Sequence, residues 1–243
     1  MLEARIDGDH VQLKNVRNFE WRSETDYTPQ WESRTYDLDR LRSADLVLSY
    51  WMGPHIAHTL VSFGFDGGER VVFSLEIRKE RHESFSAVGG FFRQFEQILV
   101  AADERDIVRT RSNARGEDVY LYRLQMNQAS ARALFLEYLH AANELRRTPR
   151  FYNTLTSNCT TIVFELARVI APALPMDYRL LLSGYFARYV YDLHGLTPGY
   201  RYDELQALGH INERALASDV SEDDFSMSIR QGVPGIPANE VNP

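Results

Sequence analysis

Residues 152–166 read Tyr152-Asn153-Thr154-Leu155-Thr156-Ser157-Asn158-Cys159-Thr160-Thr161-Ile162-Val163-Phe164-Glu165-Leu166, and this stretch decides the fold. Polar, turn-favouring residues precede Cys159, and an apolar run with helical periodicity follows it. That pattern predicts a helix starting at the cysteine. A thiol there feels the positive end of the helix dipole, which favours thiolate. Cys159 is the only cysteine in the chain. A lone cysteine is more commonly a small buried hydrophobe. A nucleophile needs two further things: a histidine to take its proton and a group to orient that histidine.

The chain has 243 residues, 44% of them hydrophobic and 25% charged. These values suit one large domain, or one domain with extensions, around a sizeable core. A net charge of −7 argues against nucleic acid as a partner, since such binders are basic. One cysteine excludes an intramolecular disulfide framework and a cysteine-rich zinc site. With no His-Glu-x-x-His either, no metal and no cofactor is expected. No apolar run of about twenty residues is present, and no signal peptide is visible. The start at Met1-Leu2-Glu3 fits a native terminus or a chain cut free of an upstream targeting or anchoring segment.

Working outward from the cysteine, residues 4–16 read as a hairpin turning at Asp7-Gly8. Residues 16–24 read as an ordered extension lying on the core. Trp31 to Leu38 alternates as a strand. Leu46 to Trp51, Ala57 to Phe65 and Glu69 to Arg78 form an antiparallel meander, broken by Gly53-Pro54 and by Asp66-Gly67-Gly68. Phe91, Phe92, Phe95, Ile98 and Leu99 share one helical face and predict a helix there. Asp118 to Met126 reads as a strand. Ala129 to Arg147 is an amphipathic helix with Ala131, Leu134, Phe135, Tyr138, Leu139, Ala142 and Leu145 inward. Residues 177–193 and 203–217 read as helical, and the tail from Gly232 as irregular. The expected class is α+β, an antiparallel sheet packed with helices. The expected division is an N-terminal hairpin and extension (1–45), a core (46–170) and a C-terminal helical extension with an irregular tail (171–243).

Among the seven histidines, His58 stands out because it interrupts an apolar strand. A buried, hydrogen-bonded structural histidine is the competing reading. On the next strand, Ser74 and Glu76 share a face while Leu75 and Ile77 take the other. Glu76 is therefore the candidate orienting carboxylate; the alternative is an ion pair with Arg78 or Arg81. Asn158 is a candidate oxyanion donor or a helix N-cap. Tyr152 and Asn153 line a substrate cleft or pack the loop before the helix. Trp51, with Tyr50, walls an acyl site or packs the core, and Arg78 is a further substrate-binding candidate.

Four blocks together resemble the Lnb N-terminal periplasmic domain family. They are Val16-Arg17-Asn18-Phe19 with Arg22 to Tyr27, Ala57-His58-Thr59 with Ser62 to Phe65, Ser74 with Glu76 and Arg78 to Glu80, and the Tyr152 to Thr161 stretch. The resemblance spans roughly residues 15–165. It implies a papain-like thiol fold in circularly permuted order, with histidine before cysteine, as in the permuted NlpC/P60 and lecithin:retinol acyltransferase groups. It implies Cys159 as nucleophile, His58 as base and, less directly, Glu76 as third member. It also implies a periplasmic or cell-envelope setting, with inner-membrane anchoring in the full-length protein. The family's namesake is a membrane lipoprotein acyltransferase, so a lipid or lipoprotein substrate is expected. This chain departs from the namesake in having no membrane helices around the domain. A cysteine amidase or peptidase acting on cell-wall peptide, and an envelope binding module without activity, are the alternatives.

Overall fold

The computed structural model describes residues 1–78, 96–151, 158–218 and 222–240. The hairpin forms from β1 (Glu3–Asp7) and β2 (His10–Arg17), with Gly8 at φ 61° in the turn. The extension folds into a small ribbon of β3 (Glu20–Trp21) and β4 (Tyr27–Thr28), followed by β5 (Trp31–Asp37), which pairs with β2. The meander is β6 (Leu41–Met52), β7 (Ile56–Phe65) and β8 (Arg70–Arg78). Then come β9 (Glu96–Ala102) and β10 (Asp118–Arg123). The main sheet runs β1-β2-β9-β8-β7-β6-β10, with β5 also on β2. It is antiparallel apart from the β2–β9 contact.

The helix expected across residues 91–99 is overturned where it can be seen. Ile98 and Leu99 lie in β9, which pairs with β8 from Val72↔Ala102 to Arg78↔Glu96. Tertiary pairing decides here: Ile98 and Val100 are β-branched and pair with Glu76 and Ser74 of β8. Phe91, Phe92 and Phe95 lie outside the described residues.

Helices cover both faces of the sheet. On one face, the long helix Gln128–Arg147 buries all seven of its expected inward residues. Its Phe135 and Tyr138 pack on Phe63 and Phe73 with ring centroids 5.0–5.8 Å apart. The helix Cys159–Ile170 belongs to this same core. The other face carries Glu104–Arg109, Asn212–Ala217 and Glu222–Ser228 over Val47, Leu60 and Val72.

Strand β7 shows the division: Ala57, Val61, Phe63 and Phe65 face the first core, and Leu60 the second. The same alternation sends His58 to the second face, as the period of a strand requires.

The C-terminal third is more broken than expected. Residues 177–193 form two 3₁₀ turns, Tyr178–Leu180 and Ser183–Tyr185, and the helix Phe186–Asp192. Gly184 docks against the β6–β7 turn: its N–H donates to His55 O (3.0 Å), and a Cβ there would lie 2.2 Å from Pro54 O. Residues 203–217 divide into Tyr202–Gly209 and Asn212–Ala217.

The tail is anchored by charge. Arg230, fully buried, bonds Asp45 and Glu104, while Arg70 and Arg123 join Asp45 to Glu240.

Candidate active site

The helix Cys159–Ile170 begins in a capping box. Asn158 Oδ1 accepts from the N–H groups of Thr160 and Thr161 (both 2.9 Å), and the Thr161 hydroxyl accepts from Asn158 N–H (2.7 Å). That cap leaves out the N–H of Cys159. Asn158 Oδ1 thus serves the helix.

The thiol meets the sheet at a split. Strands β7 and β8 pair from Gly64↔Arg70 to Leu60↔Ser74. Beyond Leu60, among the described residues, β7 continues with β6 and β8 with β9. The backbone of Ala57 to Thr59 is thereby freed on the β8 side. The cysteine helix packs its first turn into this opening: Thr160 Oγ1 lies 3.0 Å from Thr59 Oγ1, and Cys159 Sγ lies 3.9 Å from Ala57 O. Through the split, sulfur on one face comes near an imidazole rooted on the other, and each bears on the other's charge.

His58 Nε2 lies 2.7 Å from Ser74 Oγ and 3.2 Å from Glu76 Oε1. Ser74 Oγ donates to the same Glu76 oxygen at 2.7 Å. Engaging Nε2 in this way, Ser74 and Glu76 orient the imidazole ring.

Electrostatics sharpen the pair. Burial disfavours a charged imidazole, and Arg111 repels it, yet Glu76 and Cys159 together push His58 up to about 9. Burial also opposes thiolate, but His58, the Thr59 N–H and the Thr160 hydroxyl outweigh it and hold Cys159 below its usual value. Glu76 stays well below the usual carboxylate range despite burial, held there by His58, Arg111 and Ser74. The two shifts have opposite signs, the direction that favours thiolate beside imidazolium.

The geometry brings Cys159, His58 and Glu76 together. Other candidates fall elsewhere. Trp51 is 48% exposed, so it does not pack the core. With Tyr50, Tyr120, Tyr185, Tyr202 and Glu117 it lines an open cleft of about 920 Å³. Tyr50 OH itself donates to Gly184 O at 2.6 Å. Tyr152, Asn153 and Arg81 lie outside the described residues, as does the side chain of Arg78, whose backbone pairs with Glu96.

The cation facing Glu76 is one the sequence did not single out. Arg111 Nη2 donates to Glu76 Oε1 at 3.1 Å. Nothing in spacing marks a partner 35 residues away.

A separate apolar groove of about 370 Å³ runs along the cysteine helix. Val163, Ala167 and Ile170 line it with Leu46, Val61 and Phe186. Val163 lies one turn beyond Cys159 on the same helix face.

No group of three or more His, Cys, Asp and Glu side chains among the described residues could hold a metal.

One known protein family, described as the Lnb N-terminal periplasmic domain, matches residues 27–184, more than half of the chain. The match contains His58, Glu76 and Cys159, and it runs on to Gly184 at the β6–β7 turn. No curated protein and no solved structure matches the chain.

Proposed function

The chain belongs to the Lnb N-terminal periplasmic domain family, and we propose that this periplasmic domain is a thiol enzyme that transfers or hydrolyses acyl groups through a thioester on Cys159. The observation that carries the reading is His58, held between the sulfur and Glu76 at a split in the sheet. The chain order His58, Glu76, Cys159 agrees with a permuted papain-like arrangement.

The thiolate attacks an ester or amide carbonyl carbon, and the carbonyl electron pair moves to oxygen. The Cys159 N–H, at the start of its helix, donates to that oxyanion. Collapse breaks the bond to the leaving group, which takes its proton from the His58 imidazolium. An amine or water then attacks the thioester, His58 accepts its proton, and the thiolate leaves. Glu76 keeps the imidazole in register through both steps.

The apolar groove beside Val163 favours a lipid acyl group, and so a lipid or lipoprotein substrate. The wide cleft carrying Trp51 and its tyrosines, with Glu117 and Arg188, favours a second reading: a cysteine amidase or peptidase on cell-wall peptides. No described helix is long and apolar enough to cross a membrane; inner-membrane anchoring would come from other segments of a longer chain.

The test is incubation with a diacylated lipopeptide, a phospholipid and a muropeptide in separate reactions, followed by intact-mass spectrometry. An acyl adduct on Cys159 from the lipids selects the first reading, and one from the muropeptide the second. No adduct from any of the three, with a thiol of ordinary reactivity, rejects the covalent mechanism.

A further inference from the structure

We infer that Arg111 is a positioning residue: its guanidinium fork shares the Glu76 carboxylate with His58, and Glu117, on the wall of the large cleft, holds that fork from behind. This inference rests on the thiol-enzyme reading and goes beyond it, because it concerns how tightly the imidazole keeps its proton.

The backbone first. The short helix Glu104–Arg109 runs on into a π turn, Thr110–Ala114, closed by Arg115 N–H to Thr110 O at 2.9 Å. A π turn is a wide, uncommon geometry that recurs at functional sites. Here it carries Arg111, whose side chain is 8% exposed.

The two Nη atoms divide their work. Nη2 bonds Glu76 Oε1 at 3.1 Å and Nη1 bonds Glu117 Oε2 at 3.2 Å. The Ser49 hydroxyl donates to the same Glu117 oxygen and fixes it. The Nε–H of Arg111 has no hydrogen-bond partner among the described residues. The fork is thus set for the two carboxylates, and packing has left its third donor unmet.

The consequence falls on one atom. Glu76 Oε1 faces His58 Nε2, the Ser74 hydroxyl and Arg111 at once. A carboxylate given to the imidazole alone would orient it but also hold its proton. His58 must release that proton to the leaving group in the first half-reaction. Drawing part of the charge of Glu76 toward Arg111 keeps the orientation and loosens the hold.

The described charges facing His58 come from three elements: Glu76 on β8, Arg111 on the π turn and Cys159 on its helix, with Glu117 behind Arg111. Arg111 works against the imidazolium while Glu76 and Cys159 support it, consistent with this placement.

The experiment is the pH profile of Cys159 alkylation by iodoacetamide, with thermal melting as the check on folding. The wild type shows a transition at a depressed thiol value and a second, alkaline one as the imidazolium loses its proton. In Arg111→Met the alkaline transition moves up by roughly half a pH unit or more, because a nearby positive charge is gone. Arg111→Lys, which keeps the charge, returns it toward the wild-type position. Glu117→Gln leaves Arg111 and the reacting groups in place and moves the transition down, since it strengthens the claim of Arg111 on Glu76.

An alkaline transition that stays put or moves down in folded Arg111→Met overturns the inference. So does a lysine variant that behaves like the methionine one. If Arg111→Met does not fold, a transition in Glu117→Gln that fails to fall overturns it instead. Failure of the underlying reading looks different: the wild-type thiol itself then titrates as an ordinary cysteine.

Discussion

Two buried charge clusters lie on the same face of the sheet, and they do opposite things. The first joins Asp45, Glu104, Arg70, Arg123, Arg230 and Glu240. The second joins Glu76, Arg111 and Glu117 to His58 and, through the split, to Cys159. The first contains only guanidinium and carboxylate groups. Asp45 is buried, but the arginines around it hold it at about 2, so no group there changes charge near neutrality. That cluster ties the C-terminal tail to the sheet. The second contains a thiol moved down by the imidazole and an imidazole moved up by Glu76 and the thiol. Burial with fixed charges makes a scaffold; burial with a thiol and an imidazole shifted toward each other is the pattern expected of a chemical site.

Four perturbations sharpen or break that contrast. Cys159→Ser is expected to abolish adduct formation, a loss on the order of 10⁴-fold or more, while stability changes by about 1 kcal/mol or less. Intact mass and urea unfolding read the two effects, and substantial turnover in the serine variant would erase the distinction.

Arg230→Met is expected to do the reverse. It leaves Asp45 and Glu104 short of their buried partner and costs roughly 3–5 kcal/mol, with Cys159 alkylation unchanged in the folded fraction. A neutral result in urea unfolding would mean that the first cluster is not a scaffold.

The third concerns acid. Asp45 is depressed from 3.8 to about 2, so its contribution is full above about pH 4 and is lost as pH falls through about 2. It amounts to roughly 2 kcal/mol. Asp45→Asn should remove that part of the slope in acid unfolding followed by circular dichroism; an unchanged slope would place the acid sensitivity elsewhere.

The smallest effect is expected for Glu76→Gln. Alkylation at neutral pH falls about tenfold, and the alkaline transition moves down, because Glu76 supports the imidazolium. A rise would show that Glu76 does not face His58 as a charge.

What the sequence made legible follows from range. The meander could be read because each strand alternates with a period of two and Asp66-Gly67-Gly68 supplies the turn. The long helix could be read because its seven inward residues repeat at helical spacing. His58 and Glu76 stood out locally, one as an imidazole in an apolar strand and the other by its side of the next strand. Strand β9 was misread because Ile98 and Leu99 happen to continue the spacing of Phe91, Phe92 and Phe95. Its place in the sheet depends on β8 and β2, far off in the chain. Arg111 and Arg230 left no local mark at all. Glu76 lies 35 residues from Arg111 and Asp45 lies 185 from Arg230, and such an arginine looks like any solvated one until the fold closes.

The proposed chemistry needs Cys159 and His58 to pair as thiolate and imidazolium at the split between β7 and β8. Its most direct measurement is the ultraviolet thiolate absorbance of the chain across pH, with Cys159→Ser as the blank. The predicted result is a thiolate signal that appears at lower pH than in a free cysteine and shifts back toward that of a free thiol in His58→Ala. A signal that rises only where a free cysteine ionises, and that ignores His58→Ala, would contradict the account.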